Sequence, residues 1–298
     1  MAEHGHHHHD HGHDAGPRLW LAVALTLGFA AVEAVGGWWA GSLALLGDAG
    51  HMVTDSFSLG LAAVAARLAL RPATTRHSYG LVRMEVIAAL TNGLLMMAVV
   101  TGIALEAIDR FRSPTPVAGL TVMVIAAIGL AVNIVVAWVL HRGEQNLNVR
   151  GAMLHVLGDL LGSVAALTAG AVIHLTGWTP IDPILALVIC ALILTATLRL
   201  LREAVHVVME GVPPELDLEE IGRALAAVEG VESVHDLHVW ALTPGQPALS
   251  AHVILRDIRH WETVLPRLTD LLEERFGIGH VTLQPETGAA PLQRVSAP

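Results

Sequence analysis

Six apolar runs constrain this chain more than any other feature, because a bilayer core is crossed by a helix of about 20 apolar residues. They fall at 19–40, 43–70, 84–108, 117–140, 151–175 and 184–201. Hydrophobic residues fill 53% of the 298 positions and the mean hydropathy is +0.58, which excludes an ordinary soluble domain. Turn and polar chemistry separates the runs: Gly41-Ser42, the stretch 71–83, Ser113-Pro114-Thr115-Pro116, the loop 141–150 and the two-proline turn 177–183. Six spans place both chain ends on one side. With that side cytoplasmic, Arg18, Arg67, Arg71, Arg76, Arg83, Arg142, Arg150, Arg199 and Arg202 lie inside, and only Arg110 and Arg112 lie outside. That asymmetry satisfies the positive-inside rule. No cleavable signal peptide is expected, since the first apolar run is long enough to span and follows a polar stretch.

The two ends of the chain differ from its middle. Seven of the eighteen histidines lie in the first 16 residues, His6, His7, His8 and His9 consecutively. A segment so poor in apolar residues cannot form a core, so a disordered tail is expected over 1–17. Its Gly and Asp interruptions favour a native, labile metal-collecting tail over a purification tag. A six-helix membrane domain is expected over 18–205, a small cytoplasmic α+β domain over 206–288, and a further tail over 289–298. In the α+β domain, Asp217-x-x-Glu220 reads as a capping box opening a helix whose buried face holds Leu218, Ile221, Leu225 and Val228. Strands are expected at 231–242, 248–255 and 280–286, with a helix over 260–276, giving the order α-β-β-α-β.

Polar chemistry inside the apolar runs points to function. Asp48, His51 and Asp55 sit at i, i+3 and i+7, one stripe of one helix face, and His155 and Asp159 repeat the HxxxD spacing in the fifth run. Each ionisable group at a helix centre costs roughly 2.5–3.5 kcal/mol on insertion scales, so carboxylates there need a cation or a wet cavity. One HxxxD pair alone is readily explained as helix packing; two at membrane depth are not. Together they offer two nitrogens and two oxygens, a tetrahedral set that Zn²⁺ accepts. Asp48 either supports those ligands from behind or solvates a vestibule. Glu33 and Asn133 either line the same cavity or bond across helices. The single Cys190 rules out an intrachain disulfide and a thiolate-rich site. The reading that follows is a membrane transporter for a divalent metal.

The residues 43–55, Leu-Ala-Leu-Leu-Gly-Asp-Ala-Gly-His-Met-Val-Thr-Asp, resemble the second-helix signature of the cation diffusion facilitators. His77-Ser78-Tyr79-Gly80 with Arg83 and Glu85 is similar to the loop and third-helix start of their zinc branch, and His155-x-x-x-Asp159 to the fifth-helix half of the transport site. His235-Asp236-Leu237-His238-Val239-Trp240 and Thr282-Leu283-Gln284-Pro285-Glu286 resemble their cytoplasmic domain. The resemblance runs from about Leu19 to Glu286 with the motifs in family order. It implies a homodimeric bacterial inner-membrane exporter exchanging Zn²⁺ for protons, both termini cytoplasmic, with a metallochaperone-like soluble domain. It assigns His51, Asp55, His155 and Asp159 to transport, and a histidine at position 51 favours zinc. It also implies a second metal position at His235, His252 and Glu286. Strand alternation puts His280 on the face of Glu286 as a candidate contributor. His77 resembles an interfacial zinc position that has fewer ligands nearby than in the fuller family version.

Zn²⁺ is therefore the expected cargo and regulatory ion, with Cd²⁺, Co²⁺ or another divalent metal as alternatives. The partners expected are a second copy of the chain, the bilayer, zinc ions and protons, with no nucleic acid. Two rival functions are an intramembrane zinc hydrolase and a membrane-anchored metal sensor. No HExxH motif is present to supply a protease-type zinc site with its general base, so no enzyme is expected. A plain anchor needs no charged residues in the second and fifth spans.

Overall fold

Helices α1 (Ala15–Ala40), α2 (Leu43–Ala69), α3 (Met84–Arg112), α4 (Gly119–His141), α5 (Leu147–Thr176) and α6 (Ile181–Val208) take up the six apolar runs in this computed structural model. It describes residues 15–141 and 147–288, with the side chains of 15–23, 59, 140, 147–155 and 157 outside that description. Helices α2 to α6 are long and apolar enough to cross a membrane, and α1 adds the apolar stretch Ala24–Ala40. Several helices exceed their expected bounds, two of them, α6 and α3, for identifiable reasons. Helix α6 starts at Ile181 because Pro183 falls in its first turn, where a missing N–H costs nothing. Helix α3 continues to Arg112, its last turn carrying Arg110 and Arg112 where cations oppose the helix dipole.

The chain divides into two compact units. One comprises Met1–Leu61 with Thr91–Arg199, the other Ala62–Leu90 with Leu200–Pro298. In the first, one end gathers six helix termini. Ala118 donates to the Ala40 carbonyl at 2.9 Å, joining the end of α1 to the start of α4. Gly119 meets α5 at Gly170 and Ile173, where an added Cβ would strike backbone. Asp182, fully buried in the first turn of α6, accepts from Ser42 Oγ at 2.5 Å and from the Leu43 amide at 2.7 Å. A carboxylate from one helix thus caps the N-terminus of another. Arg110 of α3 lies 3.8 Å from Asp182 and donates to the Gly41 carbonyl. The interior between helices is built from small residues, with Ala30, Ala44, Ala126, Ala166 and Ala169 fully buried, as membrane helices pack. Large apolar side chains such as Leu94, Leu105, Ile134 and Leu192 face outward instead, where lipid would meet them.

The second unit holds α7 (Leu218–Ala226), β1 (Val231–Thr243), β2 (Gln246–Leu255), a 3₁₀ turn (Ile258–His260), α8 (Trp261–Phe276) and β3 (His280–Thr287). The order is the expected α-β-β-α-β. The sheet runs β1-β2-β3, antiparallel between β1 and β2 and parallel between β2 and β3. Asp217 caps α7 through the amides of Glu219 and Glu220 at 2.8 and 3.1 Å. The Glu220 carboxylate binds Arg275 of α8 at 2.7 Å, so it ties two helices together. Gly277, at φ 67°, ends α8, and Ile278 bonds back to Leu272 as it enters the core. Ile221, Leu225, Leu249, Leu255, Leu268, Leu272 and Ile278 make that core, each worth roughly 1.5–3 kcal/mol in transfer from water. The segment 71–85 belongs to the same unit. Arg83 pairs with Glu210 at 3.0 Å, and Glu85 accepts from Thr243 Oγ1 at 2.8 Å.

Candidate metal centres

On α2 the 3.6-residue period aligns Asp48, His51 and Asp55 along one face. His51 Nε2 stands 3.6 Å from Asp55 Oδ2, and the two side chains are 23% and 22% exposed. Asp159 on α5 is fully buried. A side chain at Gly162 would collide with the Asp48 carboxylate, so α2 and α5 meet at that point. From there His51 lies three residues along α2 and Asp159 three residues along α5, which places the two halves of the expected site on facing helices. His155 belongs to α5, but its side chain lies outside the described residues. The N₂O₂ set is thus described at three of its four members.

Glu33 and Asn133 are both buried. Glu33 reaches α4 at Gly129, where an added Cβ would stand 3.2 Å from its Oε1. Asn133 donates from Nδ2 to Ser163 Oγ of α5 at 3.1 Å, so it does make a bond across helices. Sequence reasoning missed Ser163, although its position four residues after Asp159 was a legible sign that it shares that face.

In the soluble domain three strands each contribute one group. His235 and His252 are direct cross-strand partners on β1 and β2, their rings 5.1 Å apart and edge-to-face. Glu286 on β3 bridges them: His235 Nε2 lies 2.9 Å from one oxygen and His252 Nδ1 2.8 Å from the other. The hydrogen bond to His235, with that to His252 added, holds the Glu286 carboxyl below the usual range. All three donor atoms lie within 4.8 Å of one another, the one such group of three found among the described residues. Two imidazole nitrogens and a carboxylate leave a fourth tetrahedral position open, so the donor set fits a zinc-class ion. Asp236 was not anticipated. It sits in a β-bulge at φ 49°, uncommon for a residue other than glycine, with its carboxylate 3.1 Å from His238 Nε2 and 3.6 Å from His252 Nε2. The sequence sign was the core spacing Val231, Val234, Leu237, Val239, which breaks the two-residue period.

Two weaker candidates separate from this cluster. His280 pairs with Ala248 at the opposite end of β3 from Glu286, and its ring packs edge-on to Tyr79 at 5.4 Å. Sharing a strand face with Glu286 therefore does not bring it to the triad, because five residues of extended chain, 281–285, intervene. His77 closes a tight turn through two backbone bonds with Thr74 at 3.0 and 3.1 Å, and is exposed. The tail histidines His6, His7, His8 and His9 lie outside the described residues.

Comparison with known proteins fits this geometry. Residues 19–209 match the family described as "Cation efflux transmembrane domain", and residues 213–288 match "Cation efflux protein, cytoplasmic domain". The chain is 43% identical to "Zinc transporter ZitB" of Escherichia coli, over 90% of this chain and 87% of that protein. It is 40% identical to "Cadmium, cobalt and zinc/H(+)-K(+) antiporter" of Bacillus velezensis, over 96% of this chain and 93% of that protein. "Metal cation efflux system protein CzcD" of Cupriavidus metallidurans is 40% identical over 93% and 88%. Both halves match in order and nearly end to end: the chain belongs to the cation efflux, or cation diffusion facilitator, family of membrane transporters.

Proposed function

We propose that this chain exports Zn²⁺ from the cytoplasm in exchange for protons, as a homodimer in a bacterial inner membrane with both termini inside. The observation that carries the reading is a fully buried carboxylate, Asp159, on a membrane-spanning helix that meets the helix bearing His51 and Asp55. Zinc ligation needs neutral imidazole and ionised carboxylate, so metal entry expels protons and protonation expels metal. With His155 as the fourth ligand, the site is closed and tetrahedral, leaving no position for a catalytic water. Cd²⁺ and Co²⁺ are the next cargoes by the same donor chemistry.

The domain plan follows the same reading. Residues 18–205 move the ion, 206–288 sense cytoplasmic metal through His235, His252 and Glu286, and 1–17 deliver zinc loosely. The end that gathers Ala40, Leu43 and Asp182 carries Arg110 and Arg112 alone and faces outward. A sensor or hydrolase reading finds no support beside relatives that are themselves transporters. Proteoliposomes loaded with a zinc indicator decide the matter. Zinc flux should rise with an opposing proton gradient and collapse when that gradient is dissipated. A folded chain that moves no zinc, or moves it regardless of the gradient, overturns the proposal.

A further inference from the structure

Four buried polar groups, Glu33, Asp48, Asn133 and Ser163, lie beside the transport residues. Glu33 is fully buried on α1, and neither of its carboxylate oxygens has a hydrogen-bond partner among the described residues. Asn133 on α4 spends its amide N–H on Ser163, and its Oδ1 likewise has no partner among them. Two glycine notches bring these groups together. Gly129, one helical turn from Asn133, makes room for the Phe29 ring and lets Glu33 come close, its Oε1 3.2 Å from where a Cβ would stand, and Gly162, next to Ser163, makes room for Asp48. Groups from α1, α2, α4 and α5 thus converge on one small volume.

Its position along the helices is informative. On α2, Asp48 lies one turn from His51 toward the Leu43 end, and on α5, Ser163 lies one turn from Asp159 toward the Thr176 end. Those two ends belong to the same gathering of termini, since α1 joins α4 at Ala40–Ala118 and α4 meets α5 at Gly119–Gly170. The convergence point is therefore the next step after the transport residues in that direction. Its donors are all oxygens: the Glu33 carboxylate, the Asp48 carboxylate and the Asn133 carbonyl. Two carboxylates match the charge of a divalent cation, and oxygen donors without imidazole hold it less selectively than a nitrogen-containing site.

We propose that Glu33, Asp48 and Asn133 form a second divalent-cation position, one turn outward of His51 and Asp159, that receives the ion as it leaves. Ser163 orients the asparagine so that its carbonyl faces the ion. "Outward" rests on the exporter reading, but the existence of the position does not. Polar side chains this deep in a membrane protein are expensive to bury, and an oxygen cage for a passing cation accounts for the buried Glu33 carboxylate and for the close approach of Asp48 at Gly162.

Mn²⁺ is the suitable probe, being a hard ion with a direct paramagnetic signal. The parent is the full chain in detergent with residues 2–14 removed and His235→Ala and His252→Ala introduced, which silences the tail and the strand cluster. His51→Ala then disables the transport site. The His51→Ala protein should still bind Mn²⁺, as loss of the free-ion signal, and Zn²⁺ should displace it. Adding Glu33→Gln should abolish that binding, and Glu33→Asp should restore it in weakened form. Unchanged Mn²⁺ binding in Glu33→Gln, or none in His51→Ala, overturns the proposal. If Glu33→Gln fails to elute as the parent does, Asn133→Ala probes the same position, and retained full binding there also overturns it. Zinc flux by the unmodified chain is a separate measurement, so failure of the exporter reading and failure of this site remain distinguishable.

Discussion

The two candidate metal centres are built from the same residue types on opposite principles. In the membrane unit, one helix supplies His51 and Asp55 four residues apart, and a facing helix supplies a carboxylate buried to 0% exposure. In the soluble domain, each of three strands supplies one group, and His235, His252 and Glu286 are 41%, 23% and 18% exposed. The first arrangement hides charge from lipid; the second leaves a face to water. Helix spacing gives a pair cheaply but needs a second helix to complete the shell. A sheet assembles three ligands by register alone, at a site where solvent or another chain can supply the fourth. Closure suits selective carriage, and openness suits fast exchange with dissolved ions.

The hardest test of that contrast is to remove one carboxylate from each centre. Asp159→Ala should reduce zinc flux in vesicles to background while the chain still elutes as the parent oligomer, because one ligand in four is gone. Asp55→Ala should do the same. Wild-type flux in either variant removes that residue from the transport site. Glu286→Ala should leave substantial flux when zinc is saturating, since Glu286 belongs to the strand cluster and not to the set on α2 and α5.

These expectations separate what was legible in sequence from what was not. The HxxxD pairs, the spans and the α-β-β-α-β order follow from periods of 3.6 and 2, which operate over a few residues. The triad was legible only through the resemblance of its motifs to the family, since no local period links three separate strands. His280 shows the limit: alternation fixed its face but not its distance from Glu286. Asp182, Ser42 and Arg110 went unread because they meet across up to 140 residues of sequence, and no local pattern announces a carboxylate that caps another helix. The glycines at 129 and 162 stayed hidden for the same reason, whereas Ser163 carried a legible sign in its spacing from Asp159.

A second, smaller effect concerns stability. If the strand triad binds zinc, the full chain should gain thermal stability with added zinc, by about 2.7 kcal/mol at a free concentration of about 100 times Kd. Glu286→Ala should lose most of that gain, and Asp159→Ala should keep it. Equal zinc stabilisation in Glu286→Ala and the parent would mean that the open centre contributes nothing, and the contrast between the two sites would fail on that side.

Selectivity gives a subtler comparison. His51→Asp converts the N₂O₂ set to one nitrogen and three oxygens while keeping four ligands. Carboxylates bind through one oxygen or two, so the altered site can expand around a larger ion. Transport should persist with a raised cadmium-to-zinc ratio, measured as both fluxes in the same vesicles. An unchanged ratio in an active variant would place selectivity in helix packing instead of ligand type. The same exchange at His235 should shift the ratio less, because the strand centre is open and already adaptable.

The smallest expected effect isolates what histidine contributes to the soluble centre. Asp257 and Glu286 are both carboxylates held below their ordinary range, but by different partners. Asp257 receives Arg259 Nε at 3.0 Å and Nη2 at 2.7 Å, with the Arg259 amide at 3.0 Å, and these bonds bring its carboxyl from 3.8 to about 2. Glu286 is held by two imidazoles, which lose their metal-binding form on protonation. Each depressed carboxylate supports the fold fully above its ordinary range and loses that support as pH falls through its lowered value. Asp257 should therefore keep its contribution until pH approaches about 2, since arginine stays charged throughout. Zinc-dependent stabilisation should vanish earlier in the same acid titration, because acid competes with metal for imidazole nitrogen. Carbon-13 carboxyl shifts of the full chain in micelles follow Asp257 directly, and Arg259→Ala should return it toward 3.8 with no change in the pH at which zinc stabilisation disappears. If that pH moves with Arg259→Ala, the loop and the metal centre are coupled, and the acid sensitivity of the open site cannot be assigned to its histidines alone.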